Sequence, residues 1–269
     1  MKIITVAAEK GGVGKTTIGA YNWAEWLASN GNKVLSIDFD QQASLSETYG
    51  VITNTGSAAN IFLDQLVEIK HISDNLDMIP GSYMMEAAKT ALNQQNNREY
   101  KLMLYFNKYA EKYNWDQYDY IIIDTHPDFE IVTQNAYLAS DIILSPVEPS
   151  KYSISSYSKI KARLDLFKEQ MINPTSGTSY FDAKIIFFAN MIDYRQATSK
   201  QLLSEIENDN SFVATIPNRT IFEMSSMRNI PLAKMTNLTG YSQYTQLFEE
   251  IFHQFNNIKN AVDGPLNVL

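Results

Sequence analysis

Cysteine is absent from the 269-residue chain. This excludes disulfide scaffolds, cysteine-ligated zinc, iron–sulfur clusters and thiol nucleophiles together. Histidine is scarce: His71, His126 and His253 lie far apart and match no metal-ligand spacing. No apolar run approaches the roughly 18 to 20 residues that cross a bilayer. The apolar stretch after Lys2 reaches Glu9 and Lys10 too soon for a signal peptide. Positive charge is also short, with 22 Lys and Arg against 30 Asp and Glu, a net charge of −8 and a pI near 5.0. A generally basic coat is therefore excluded, and any nucleic-acid contact has to come from a local patch. The composition predicts a soluble, cytoplasmic protein with 45% apolar residues, ample for a deep core.

Short apolar runs alternate with helical patterns along the chain. Strands are expected at Ile3 to Ala8, Lys33 to Asp38, Leu76 to Pro80, Tyr120 to Asp124, Asp141 to Pro146, Lys184 to Asn190 and Phe212 to Pro217. Several are apolar almost throughout, as strands buried on both faces are. Crossover helices are expected at Thr16 to Ser29, Met84 to Tyr113, Ser153 to Met171 and Ser199 to Asn208. This alternation predicts a three-layer α/β fold, a mostly parallel central sheet with helices on both faces. Neither the Asn-rich stretch Asn93 to Asn97 nor the loop Asn173 to Ser179 marks a boundary. One domain over residues 1–258 is expected, followed by a loose tail over 259–269.

The decisive segment is Glu9-Lys10-Gly11-Gly12-Val13-Gly14-Lys15-Thr16-Thr17, placed between an apolar strand and a helix. Gly11, Gly12 and Gly14 let successive N–H groups curl toward one anion, and the helix N-terminus adds its field. Lys15 would reach the β- and γ-phosphates, Thr16 would complete a Mg²⁺ shell, and Thr17 would hold the α-phosphate.

Lys10-Gly11-Gly12-Val13-Gly14-Lys15-Thr16-Thr17 resembles the deviant Walker A motif of the ParA/MinD ATPases, a branch of the P-loop NTPase fold. The resemblance implies ATP and Mg²⁺ as cofactors and a sandwich homodimer that forms on ATP binding. In such a dimer the signature lysine, here Lys10, would cross to the partner's phosphates and stabilise charge developing at the transition state. The bland alternative for Lys10 is a solvated loop lysine, which its neighbours disfavour.

Two further strand ends carry acids. Asp38-Phe39-Asp40-Gln41-Gln42 resembles the family's second motif, with Gln41 where the family usually has proline. Asp40 is expected to orient the attacking water and to complete the metal shell, while Asp38 reads as a strand-end cap or a loop hydrogen-bonding residue. Tyr120 to Asp124 resembles a Walker B strand, and a carboxylate leaving it requires a cation or donor nearby. His126 stands where the family usually has proline; it reads as a packing or hydrogen-bonding residue rather than a general base. Asn190, with Pro217 and Asn218 after the next strand, resembles the family's adenine-contacting positions, since an amide offers a donor and an acceptor together.

The resemblance extends from Ile3 to about Phe255. It implies a partition ATPase of the short plasmid type, without an N-terminal helix-turn-helix, acting in plasmid or chromosome segregation. Its ATP dimer would bind duplex DNA non-specifically on the nucleoid. A small centromere-binding ParB-like partner, often a ribbon-helix-helix protein, would stimulate hydrolysis and release it. Arg195, Lys200, Arg219 and Arg228 are the candidate DNA contacts, together with Lys234; they read equally as solvated surface. A MinD-like membrane ATPase is one alternative. Against it, the amphipathic segment carrying Leu247, Phe248, Ile251, Phe255 and Ile258 has an acidic rather than basic opposite face, so no membrane partner is expected. A dethiobiotin synthetase-like ligase is another, and it requires no signature lysine.

Overall fold

The computed structural model describes residues 1–151 and 153–265. Eight strands form a single sheet in the order β3-β4-β2-β5-β1-β6-β7-β8. From the N-terminus, β1 (Lys2–Val6) leads through the glycine-rich loop into α1. This helix is wound as a π-helix over Lys15–Asn22 and continues as an α-helix over Trp23–Ser29. Next come β2 (Val34–Asp38), α2 (Ser44–Tyr49), α3 (Ala59–Phe62), β3 (Lys70–Ser73) and β4 (Leu76–Ile79). Helices α4 (Met85–Asn93), α5 (Lys101–Lys108) and α6 (Ala110–Tyr113) precede β5 (Tyr120–Asp124). The chain then alternates through α7 (Ile131–Ala139), β6 (Ile142–Val147), α8 (Ser153–Gln170), β7 (Lys184–Ile192), α9 (Ala197–Ile206) and β8 (Phe212–Pro217). It closes with α10 (Thr220–Arg228), α11 (Leu232–Met235) and α12 (Thr245–Asp263).

All seven strands expected from the sequence are present and pair in parallel. The sequence reading did not include β3, a half-exposed edge strand that runs antiparallel to β4. Its residues lack an apolar run because only one neighbour and little core cover it. The expected helix from Met84 to Tyr113 is broken, and the break falls at the Asn-rich stretch, where Asn97 takes a left-handed φ of 55°. Asparagine tolerates that conformation and competes for backbone hydrogen bonds, so a helix interior containing it gives way. The expected loose tail also needs revision. Lys259 to Asp263 belong to α12, and Tyr120 donates its hydroxyl to Asp263 at 2.7 Å; residues 266–269 of that tail lie outside the described residues.

Alternation along the buried strands divides the core. Ile4, Val6, Ile122, Leu144, Ile186 and Phe188 face a layer containing α1 and α12. On the other face, Leu35, Ile37, Ile121 and Ile123 meet α3, α4, α5 and α7, while Ile143 packs on α8 and Phe187 on α9. Helix α12 buries Phe248, Ile251, Phe255, Ile258 and Val262 against this sheet, and Trp23 Nε1 donates to the Phe255 carbonyl at 3.1 Å. Its apolar stripe is therefore taken up by the protein's own core.

Truncating Phe255 to alanine is expected to cost about 3–5 kcal/mol in chemical denaturation. Glu250→Ala on the exposed side of α12 should stay within about 0.5 kcal/mol. Equal and small effects would show that the stripe does not carry packing energy.

Candidate active site

Parallel strands present their carboxyl ends to one side, and β1 lies where the winding direction reverses, between β5 and β6. A crevice opens there in doubly wound sheets. The loop leaving β1 turns through Gly12 and Gly14, at φ 77° and 97°. Gly14 has a second constraint: a Cβ at this position would lie 2.2 Å from Asn190 Nδ2. That amide donates to the Val13 carbonyl at 2.8 Å, so the end of β7 fixes the loop from the side. Lys15 follows, only 6% exposed. Burial lowers its ammonium pKa, against the pull of Asp124, Asp40 and Asp128.

Strand register brings the acids together. Asp38 and Asp124 are direct partners on β2 and β5, and Val6 pairs with Asp124 from β1. Asp124 is fully buried; its Oδ2 accepts from Thr16 Oγ1 at 2.7 Å, while Oδ1 has no partner among the described residues. Burial first, and then the charge of Asp38, raise its pKa well above the usual carboxylate range. An unpartnered buried carboxylate oxygen beside a threonine hydroxyl suits a hard divalent cation reached directly or through water. Among the described residues no cluster of three or more His, Cys, Asp or Glu could hold an ion, so phosphate oxygens would have to supply much of the shell.

Asp38 has a different task. Its oxygens accept from Asp40 N at 3.1 Å, Ser46 N at 2.9 Å and Ser46 Oγ at 2.6 Å. These bonds anchor the turn after β2, while burial raises its pKa to about 6. Asp40 is less enclosed: its Oδ1 accepts from Gln42 N and from His126 Nδ1, each at 2.9 Å.

These elements line a cavity of about 690 Å³, a size suited to a small ligand. Gly11, Gly12, Gly14, Lys15, Thr16, Thr17, Asp40, Asn190, Pro217 and Asn218 all line it, as does Arg219. Val13 and Asp124 stand behind the wall, buried, and act through Asn190 and Thr16. One of the two N–H groups of the Asn190 amide goes to the phosphate loop, and the residue, expected beside the base, lines the cavity. The sequence reading missed the contribution of α10, whose Phe222, Glu223, Ser226 and Met227 form part of the wall. Only Ile221, Phe222 and Ser225 of that helix are buried, a stripe too narrow to stand out as a period.

Lys10 lies outside the cavity, its side chain 60% exposed and ion-paired with Glu148 of the same chain. Arg195 and Arg219 follow Ile192 and Pro217, which are partners on β7 and β8, so both emerge on the cavity side of the sheet. Arg195 is bidentate with Asp193, at 3.0 and 3.1 Å, and holds that carboxyl down at about 2. Arg219 Nη1 donates to the Asn218 carbonyl, Arg228 Nη1 donates to Tyr241 at 2.7 Å, and Lys200 is exposed on α9. Lys234 pairs with the buried Glu25. Arg195, Arg219, Arg228 and Lys234 thus each have a partner within the chain.

Because the folded chain holds protons on Asp38 and Asp124 more tightly than an unfolded chain would, their contribution to stability is full below the ordinary carboxylate range. It is lost as pH rises through about 6 for Asp38 and above the usual range for Asp124. Asp124→Asn, which keeps an acceptor for Thr16, should therefore gain in midpoint over the wild-type nucleotide-free protein as pH rises. A difference that is flat with pH in paired thermal melts would contradict this charge account.

A family model describing AAA domains (AAA_31) matches residues 1–176. The chromosome partitioning protein ParA of Myxococcus xanthus is 30% identical over 240 residues, covering 87% of this chain and 77% of that protein. The sporulation initiation inhibitor protein Soj of Bacillus subtilis is 29% identical, covering 80% and 84%. Among solved structures, a plasmid partition protein from Borrelia burgdorferi superposes with a TM-score of 0.70 at 25% identity, covering 96% of this chain and 98% of its own. With a phosphate loop, two strand-end acids and a reversed sheet meeting in one cavity, the chain belongs to the AAA_31 family and is a ParA-type P-loop ATPase.

Proposed function

We propose that this ATPase acts in DNA partition, using ATP and Mg²⁺ to switch between a monomer and a DNA-binding homodimer. The observation that carries the reading is the convergence of a buried Lys15, the Thr16–Asp124 pair and Asp40 on the cavity behind β1. A desolvated lysine and neighbouring desolvated acids are unfavourable without a ligand; a triphosphate supplies the missing negative charge to Lys15. The N–H groups of Gly11 to Thr17 would hold its oxygens with little reorganisation. Thr16, with Asp124 behind it and Asp40 beside it, would hold Mg²⁺, which neutralises charge building on the phosphates during transfer. Asp40 would align the attacking water, and Pro217 and Asn218 would border the base.

Lys10 would serve across the dimer. In the free chain it is held by Glu148, an exposed pair of small energetic value, so phosphate oxygens could readily take it over. Dimerisation would place DNA on a face including Arg195, Lys200, Arg219 and Arg228, with a small centromere-binding partner of ParB kind setting the hydrolysis rate. Burial of the α12 stripe supports DNA over lipid as the surface recognised.

Lys15→Ala is expected to abolish nucleotide binding. Asp40→Ala should retain ATP within a few-fold, form the dimer in size-exclusion chromatography with light scattering, and lose at least about a hundredfold in turnover. Normal hydrolysis by Asp40→Ala would refute the assignment. On non-specific duplex DNA with ATP, Arg195→Ala should lower the slope of log K against log salt by about one, and an unchanged slope would remove Arg195 from the interface.

A further inference from the structure

Asp40 receives a second donor that nothing in its own motif supplies. The His126 ring lines the cavity and sits with Nδ1 2.9 Å from Asp40 Oδ1, across 86 residues of sequence. The ring's other nitrogen lies 3.5 Å from Gln41 Nε2. Gln41 and His126 are the two places where the first and second acidic motifs depart from proline, and the two side chains touch. Proline can neither donate to a carboxylate nor reach one.

The ring is aimed by a fixed backbone. Thr125 is buried and donates its hydroxyl to the Val6 carbonyl at 3.0 Å, and the His126 carbonyl accepts from Asp128 N at 2.8 Å. An ionised Asp40 only accepts, so a neutral His126 must carry its proton on Nδ1. Nε2 then becomes an acceptor, directed at the amide nitrogen of Gln41. Among the described residues, both hydrogen bonds to the Asp40 side chain, from Gln42 N and from the ring, end on Oδ1. Oδ2 is left for whatever enters the cavity.

We infer that His126 is a positioning residue for hydrolysis: its Nδ1–H pins Asp40 Oδ1, fixing the carboxylate's rotation and leaving Oδ2 to act in the cavity. His126 itself takes no proton from water and touches no phosphate; it acts through Asp40. A carboxylate held by one backbone N–H alone can rotate, and a loss of alignment of this kind lowers turnover without weakening nucleotide binding. The inference rests on the ATPase reading of the same cavity.

Two measurements test it. Long-range ¹H–¹⁵N correlation of the histidine rings, in the nucleotide-free chain at a pH where imidazole is neutral, reads the tautomer directly. His126 should be the Nδ1–H form in the wild type and lose that preference in Asp40→Ala. An Nε2–H ring in the wild type overturns the inference whatever the enzyme does. In steady-state assays, His126→Phe should lower kcat about tenfold with KM and the affinity for a fluorescent ATP analogue within about twofold, and His126→Asn, which retains a donor, should recover part of kcat. Wild-type kcat in His126→Phe overturns it, as does an equal loss in the Phe and Asn variants. If the wild type neither binds nor turns over ATP, the ATPase reading falls and takes the kinetic role with it, while the tautomer result still reports whether the ring pins Asp40.

Discussion

A lysine ammonium and two carboxylates, Lys15, Asp38 and Asp124, removed from water at the ends of β1, β2 and β5 form the constraint on which the rest of the molecule depends. Each of these charges is costly to bury, and each is compensated differently. Asp38 is satisfied internally by three donors. Asp124 is satisfied at one oxygen and, among the described residues, bare at the other. Lys15 has acids near it and loses basicity through burial all the same. The site is thus built to be incomplete, and its incompleteness matches the charge and donor pattern of a metal-bound triphosphate.

Holding such a site open requires rigid walls, and polar side chains inside the core provide them. Asn22, fully buried on α1, donates to the Thr17 carbonyl at 2.8 Å and accepts from Leu232 N at 2.8 Å and Ser225 Oγ at 3.1 Å. It ties the phosphate-loop helix to α10 and α11, which are more than 200 residues away in sequence. Asn190 does the same from β7 by locking Val13. Movement at the loop would therefore be felt at α10, part of the cavity wall, through bonds whose breaking leaves buried groups unsatisfied. The π-wound start of α1 lies between these two anchors, where departures from regular helix geometry often accompany function.

Much of this was legible in the sequence because the signals are local. Glycines at 11, 12 and 14 followed by Lys15 and Thr16 state their conformation and chemistry within a few residues, and the all-apolar Tyr120 to Ile123 run declares a strand covered on both faces. The edge strand β3, the break at Asn97 and the narrow-faced helix α10 were not legible, since each lacks a period or depends on what packs beside it. Asp263, at the end of α12, likewise accepts from Tyr120, far away in the chain.

The sequence by itself determined seven of the eight strands, the phosphate loop and the identity of the acids, because spacing and residue type within short windows fix backbone geometry and charge. Tertiary structure alone decided the partners: Asn190 on the loop carbonyl, Lys10 on Glu148 and His126 on Asp40. Those contacts span 177, 138 and 86 residues. A side chain's hydrogen-bond partner over such distances is set by strand register and loop closure, which no local pattern encodes.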